Sequence, residues 1–151
     1  NEELKNILSC FLPEALCNME NQFVYITVKP EQLYPLAKKL RESKETDFDY
    51  LFCLSGVDWV THFSVVYHLT STTHKHSIVV KATIDDRANP AIDSICTIWK
   101  TAEFHEREVH DLFGIKFINH PDLRKLLLEE DRSDFPLRKD YSDPINMVEL
   151  K

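Results

Sequence analysis

Two imidazoles and two carboxylates fall within six residues at His105-Glu106-Arg107-Glu108-Val109-His110. That is the side-chain set of a zinc-protease helix. Such a helix needs its two histidines four residues apart, about 40° around the axis. Here they stand five apart, about 140°, and diverge. The ligand geometry for a catalytic metal is missing. The same stretch carries an ionic ladder: Glu103, Arg107 and Asp111 are successive i,i+4 neighbours, so Arg107 could bridge two carboxylates. Such pairs contribute ~0.2–0.5 kcal/mol each, and Glu103 and Glu108 read as a solvated face. Glu106 is different. An apolar stripe of Ile92, Ile95, Trp99, Ala102, Val109 and Phe113 steps by threes and fours and carries position 106 inward. A buried carboxylate must find donors or a cation, or stay protonated. Arg124, Arg138 and Lys139 of the following segment are the expected partners, with Glu106 pinning that segment to the domain. The competing reading is acid–base catalysis by Glu106 or Glu108 with His110, for which no second perturbed group is evident.

Other constellations are weaker. His74 and His76 flank a polar loop and are read as loop residues, since two histidines do not make a metal site. No Gly-x-Ser-x-Gly elbow exists. The only glycines are Gly56 and Gly114, which excludes a dinucleotide fingerprint and a P-loop. Cys10, Cys17, Cys53 and Cys96 form no C-x-x-C pair. They read as thiols in a reducing compartment, with a Cys10–Cys17 bridge as the minor alternative. A net charge of −7 argues against nucleic acid, whose binding is dominated by phosphate neutralisation. No apolar run reaches the ~18–20 residues of a membrane span, and no signal-peptide pattern opens the chain. The chain begins at Asn1 rather than Met, which reads as an excised or processed piece.

The elements that must position these groups follow from periodicity. Residues 2–12 read as a short helix closed by Pro13. Phe23–Val28 reads as a strand, and Pro30 opens a helix with Leu33, Leu36, Ala37 and Leu40 on one face. Tyr50–Leu54, His62–Leu69 and Ile78–Ile84 read as strands, the last two joined by the polar loop Thr70–His76. The longest helix is expected to start at Asn89-Pro90 and end at Gly114, a residue suited to a left-handed C-terminal cap. Beyond Phe117, Pro121, Pro136 and Pro144 divide a charged segment with little apolar content. At most one helical turn is expected there, near Leu123–Leu128. The expectation is one α+β domain over residues 1–117: a mixed sheet of about four strands with helices packed on one face. A C-terminal arm, 118–151, is laid on a partner.

Three ordered blocks carry a family resemblance. Glu106-Arg107-Glu108-Val109-His110-Asp111-Leu112-Phe113-Gly114-Ile115 resembles the signature helix of the C subunit (thirty-kilodalton subunit) of respiratory complex I, NADH–quinone oxidoreductase. His120-Pro121-Asp122-Leu123-Arg124-Lys125-Leu126-Leu127 and Pro136-Leu137-Arg138-Lys139-Asp140-Tyr141 are similar to the next two blocks in order and spacing. Weaker similarity runs back through Leu54–Trp59 and Phe63–Leu69. Phe104, Arg132 and Asp134 depart from the family pattern.

The resemblance implies a subunit without a cofactor of its own. NADH, FMN, iron–sulfur clusters and quinone would belong to other subunits of the complex. The partners implied are the D-type (forty-nine-kilodalton-like) subunit beside the quinone site and neighbouring peripheral-arm subunits. The place implied is the cytoplasmic face of the bacterial inner membrane, or the matrix side in mitochondria, without a direct membrane span. Fused C/D subunits exist in the family, and this chain could be the C part of one. Arg124, Arg138 and Lys139 are expected in interface ion pairs, with Leu123, Leu137 and Tyr141 as apolar anchors. The alternative is the equivalent subunit of a membrane-bound hydrogenase-type complex.

Overall fold

Apolar residues at every second position build the strands and decide which side of the sheet is buried. The computed structural model describes residues 4, 8, 16–20 and 23–143, without side chains at 16–20. Most of the helix expected at 2–12, Pro13, the thiols of Cys10 and Cys17, and Pro144 lie outside the described residues. Leu4 and Leu8 are helical and buried. The strands are β1 (Leu16–Glu20), β2 (Phe23–Val28), β3 (Tyr50–Asp58), β4 (Phe63–Ser71) and β5 (His76–Ile84). They form one sheet in the order β1-β2-β5-β4-β3. β2 and β5 run parallel and the other neighbours antiparallel, so the sheet is mixed.

Val24, Ile26 and Val28 of β2, Phe63, Val65, Tyr67 and Leu69 of β4, and Ile78, Val80, Ala82 and Ile84 of β5 are all buried. Two fully described helices pack on that face. In α1 (Pro30–Glu42), Leu33, Leu36, Ala37 and Leu40 point inward as the spacing predicts. α2 (Ala102–Phe113) lies close on β3 because Gly56 has no side chain. A Cβ there would stand 2.8 Å from the Phe113 ring and 3.0 Å from Val109.

The architecture is thus α+β with a mixed sheet and helices on one face, as expected. The four strands legible in the sequence are joined at the edge by β1. Asn18 and Glu20 interrupt the apolar pattern of β1, and it pairs only with β2. The long helix begins at Ala102, not near Pro90. Residues Ala91–Asp93 instead form β6, parallel to β7 (Lys116–Ile118). The Lys116 amide donates to the Pro90 carbonyl and the Ser94 amide to the Ile118 carbonyl, both at 2.8 Å. Those cross-links withdraw residues 90–94 from helical hydrogen bonding. The apolar stripe from Ile92 to Phe113 is nonetheless buried throughout. Spacing forecast the burial and misread the conformation. Finally, Leu123–Leu128 makes no helical turn.

His74 and His76 have a local task. Their Nε2 atoms lie 2.9 and 2.8 Å from the carbonyls of Lys44 and Thr46, and the rings stack at 5.3 Å. They tie the β4–β5 hairpin to the turn that follows α1.

Candidate functional site

The spacing within α2 sets out two working flanks. Position 106 points toward the segment after β6, while 107 and 111 face the chain that follows β7. Glu106 has no exposed surface. Its Oε2 accepts from the Ser94 hydroxyl at 2.5 Å and its Oε1 from the Ile95 amide at 2.8 Å. Burial pushes its carboxyl up to about 7 against the downward pull of those two donors. The buried Tyr67 hydroxyl has no hydrogen-bond partner among the described residues. Burial first, and the Glu106 charge second, push that phenol well up.

The expected partners of Glu106 were Arg124, Arg138 and Lys139. The structure replaces them with Ser94 and Ile95, because the 94–95 turn lies directly over the carboxylate. Among the described residues of the arm, only His120 approaches, its Nε2 3.8 Å from Oε2. That nitrogen lies 3.0 Å from the Glu103 carbonyl, while Nδ1 accepts the Asp122 amide at 3.0 Å. These roles assign the ring proton to Nε2 and direct it at Glu103.

Asp111, not Glu106, seizes the arm. Its Oδ2 accepts the amides of Leu126, Leu127 and Leu128 at 3.1, 2.7 and 2.9 Å. Burial raises this carboxyl, but the three amides and the Lys125 charge outweigh it and hold the group below its usual range. The amides that a helical turn at 123–128 would have used are taken up by Asp111. Arg107 does not bridge Glu103 and Asp111 as the ladder suggested. Its Nε and Nη2 donate to the carbonyls of Arg124 and Lys125 at 2.9 and 3.0 Å. Glu103 pairs with Lys100 instead.

The next turn of the arm closes on the end of α2. Gly114 caps the helix at φ 73°. Arg138 Nε donates to the Phe113 carbonyl at 2.6 Å, and the Leu137 amide to the Leu112 carbonyl at 3.2 Å. The Arg138 guanidinium lies 4.6 Å from the Phe135 ring centroid and 5.1 Å from that of Phe63. A Cβ on Gly114 would stand 2.6 Å from Phe135 and 2.7 Å from Arg138. Gly114→Ala therefore combines a left-handed backbone penalty with a clash against the arm. A loss of about 2–4 kcal/mol is expected in denaturant unfolding. An unchanged midpoint would show that the arm does not press on this position.

A third tether joins the arm to β3. Asp58, 4% exposed, pairs with Arg87 at 2.5 and 3.2 Å. It also accepts the Val60 amide at 2.7 Å and the Lys139 amide at 2.9 Å. Burial raises its carboxyl, yet Arg87 and the two amides overcome that and set it at about 2. Arg87 reaches on to Asp140 at 3.4 Å.

The structure thus gathers Arg107, Asp111, Gly114, His120, Leu137, Arg138, Lys139 and Asp140 into one clasp between domain and arm. Lys139 contributes its amide while its side chain is exposed. Arg124 pairs with Asp122, at 2.7 Å on the surface. Leu123 packs against the core. Pro136 is half-buried, whereas Pro121 and Glu108 are exposed. The Tyr141 hydroxyl meets Arg132 at 3.2 Å. Asp58, Arg87, Ser94 and Phe135 were missed. An aspartate closing an otherwise apolar strand was the available signal for Asp58; nothing in the sequence pointed to the other three.

His110 Nδ1 lies 2.9 Å from the Ile115 carbonyl and makes no hydrogen bond to Glu106 among the described residues. A polar cleft of about 330 Å³ opens beside Ser94, lined by Tyr34, Asp93, Thr97 and Asn119. Neither Glu106 nor His110 lines it. Among the described residues, no group of three or more His, Cys, Asp or Glu could hold a metal ion. Cys53 and Cys96 are free thiols. No described helix is long and apolar enough to cross a membrane.

Comparison with known proteins gives concordant matches. Residues 26–145 match the family model for the respiratory-chain NADH dehydrogenase, 30 kDa subunit. The C subunit of the NADH-quinone oxidoreductase of Roseiflexus castenholzii is 39% identical over 139 residues, spanning 88% of this chain and 79% of that one. The C/D subunit of the enzyme of Phocaeicola vulgatus is 44% identical over 126 residues, which are 83% of this chain and 24% of that protein. This chain therefore spans about a quarter of that relative. Among solved structures, a chain of the membrane-bound sulfane sulfur reductase, an archaeal respiratory membrane complex, superposes with a TM-score of 0.80 at 24% identity. The match covers 93% of this chain and 85% of that one. It establishes a shared fold.

Proposed function

The chain belongs to the family of the respiratory-chain NADH dehydrogenase 30 kDa subunit, and from that premise we propose that it is a cofactor-free scaffold of an NADH–quinone oxidoreductase. Its task is to hold and position a D-type subunit beside the quinone site. NADH, FMN, iron–sulfur clusters and quinone are handled by other subunits. The assembly stands on the cytoplasmic face of a bacterial inner membrane, or the matrix side in a mitochondrion.

The observation that supports this reading is the clasp. Buried ionisable groups of the domain are committed to arm backbone, with Asp111 on three amides and Asp58 on a fourth. An arm so fixed leaves Leu126, Leu127 and Leu137 exposed, which suits a surface completed by another protein. The relatives named C/D support the choice of a D-type partner. The NADH–quinone names of the sequence relatives favour this complex over a hydrogenase-type one.

The test is co-purification of the chain with a D-type subunit, with and without residues 118–151. Binding that is lost on truncation is the expected result. Binding retained without the arm moves the interface onto the domain. Absence of binding by both forms overturns the scaffold reading.

A further inference from the structure

The β3–β4 hairpin turns on two residues, Val60 and Thr61, with the Trp59 amide donating to the His62 carbonyl at 3.0 Å. Val60 has φ 72°. A positive φ at the first position of a two-residue tip ordinarily calls for glycine, and a β-branched residue is strained there. Thr61 has no positive φ, so the tip is a type II′ turn, and glycine at position 60 would relieve that strain. Val60 is 60% exposed and Trp59 47% exposed, so neither side chain offsets the strain by filling the core. Both are nevertheless held still. The Val60 amide is bonded to Asp58. The Trp59 ring lies under the Lys81 ammonium, 4.5 Å from its centroid, and stacks with His62 at 6.2 Å. Strain kept in a rigid, exposed apolar tip is the mark of a functional surface rather than of a solvated loop.

We propose that Trp59 and Val60 form a preorganised knob that enters an apolar recess on the D-type subunit, with an acidic rim meeting Lys81. The occupant is argued from continuity with the arm. Asp58, one residue before the knob, is the group that binds the Lys139 amide. Leu137, two residues before Lys139, is 52% exposed. Knob and arm are therefore anchored at one carboxylate, whose two oxygens hold the Val60 and Lys139 amides. This inference rests on the scaffold reading above and adds a second, separate point of contact to it.

The experiment measures affinity for a D-type subunit and thermal stability in the full chain. Trp59→Ala is expected to weaken binding about tenfold, as for a buried aromatic anchor. Val60→Gly is expected to raise Tm and still weaken binding several-fold. Opposite signs for fold and affinity separate an interface residue from a structural one. If the unmodified chain binds and both variants bind equally well, the knob is wrong and the scaffold reading stands. If Val60→Gly lowers Tm, the strain argument fails and the knob with it. If the unmodified chain does not bind, both readings fall together.

Discussion

Glu106→Gln should remove most of the pH dependence of stability between 4.5 and 7. The folded carboxyl titrates at about 7 against an ordinary 4.5, because burial penalises its charge. A group raised on folding stabilises the native state fully below its unfolded value, and that contribution is lost as pH rises through the folded one. Each pH step of one between those two values is worth about 1.4 kcal/mol, so stability should fall by about 3 kcal/mol from pH 4.5 to above 7. Glutamine keeps the shape. Its carbonyl can accept the Ile95 amide and its amide can donate to the Ser94 oxygen, but the Ser94 hydroxyl proton then loses its acceptor, so the slope with pH and not the absolute stability is the readout. Denaturant unfolding at pH 5 and pH 8 measures the effect. A variant whose slope with pH matches the parent would mean that Glu106 is ionised without penalty, and that another group compensates it.

Asp111→Ala should release the arm. It strands the amides of Leu126, Leu127 and Leu128 together, since all three are bonded to one oxygen. Hydrogen bonds to a charged acceptor contribute roughly 1.5–3 kcal/mol each. The amides recover water when the arm lifts, so the net loss is capped at about 2–4 kcal/mol. The sharper readout is local. Amide exchange at 126–128 should accelerate by orders of magnitude while the β4 and β5 amides stay protected. Unchanged protection at 126–128 would show that the arm is held from elsewhere. Asp111→Asn should fall between, since one carbonyl oxygen remains without the charge.

The contrast between Glu106 and Asp111 shows what the sequence could and could not reveal. The inward placement of Glu106 was legible because helical spacing is a local rule. It held even though residues 91–101 are not helical, since burial requires a common side and not a common conformation. Its partners were not legible. Two neutral donors from an adjacent turn hold it in place of any cation of the arm, and backbone donors leave no trace in side-chain patterns. Asp111 looked like part of a surface ladder for the same reason: its partners are main-chain amides 15–17 residues away. β4, β5 and α1 were readable from alternation and helical spacing, whereas β3 was read only over Tyr50–Leu54 and runs to Asp58. The short strands β6 and β7 were not, because three-residue strands carry too few side chains to show a period.

The way the domain holds its arm has a consequence for how such chains can diverge and be re-engineered. Asp111, Arg107 and Asp58 grip the main chain of residues 124–128 and 139 rather than their side chains. The path is thus encoded in the body, while the lettering along that path is largely free. A foreign arm of equal length, with Gly114 and the Phe135–Arg138 corner retained, should follow the same route over this domain and display its own outward residues. That makes the module a transplantable frame: partner choice can be rewritten without redesigning the core.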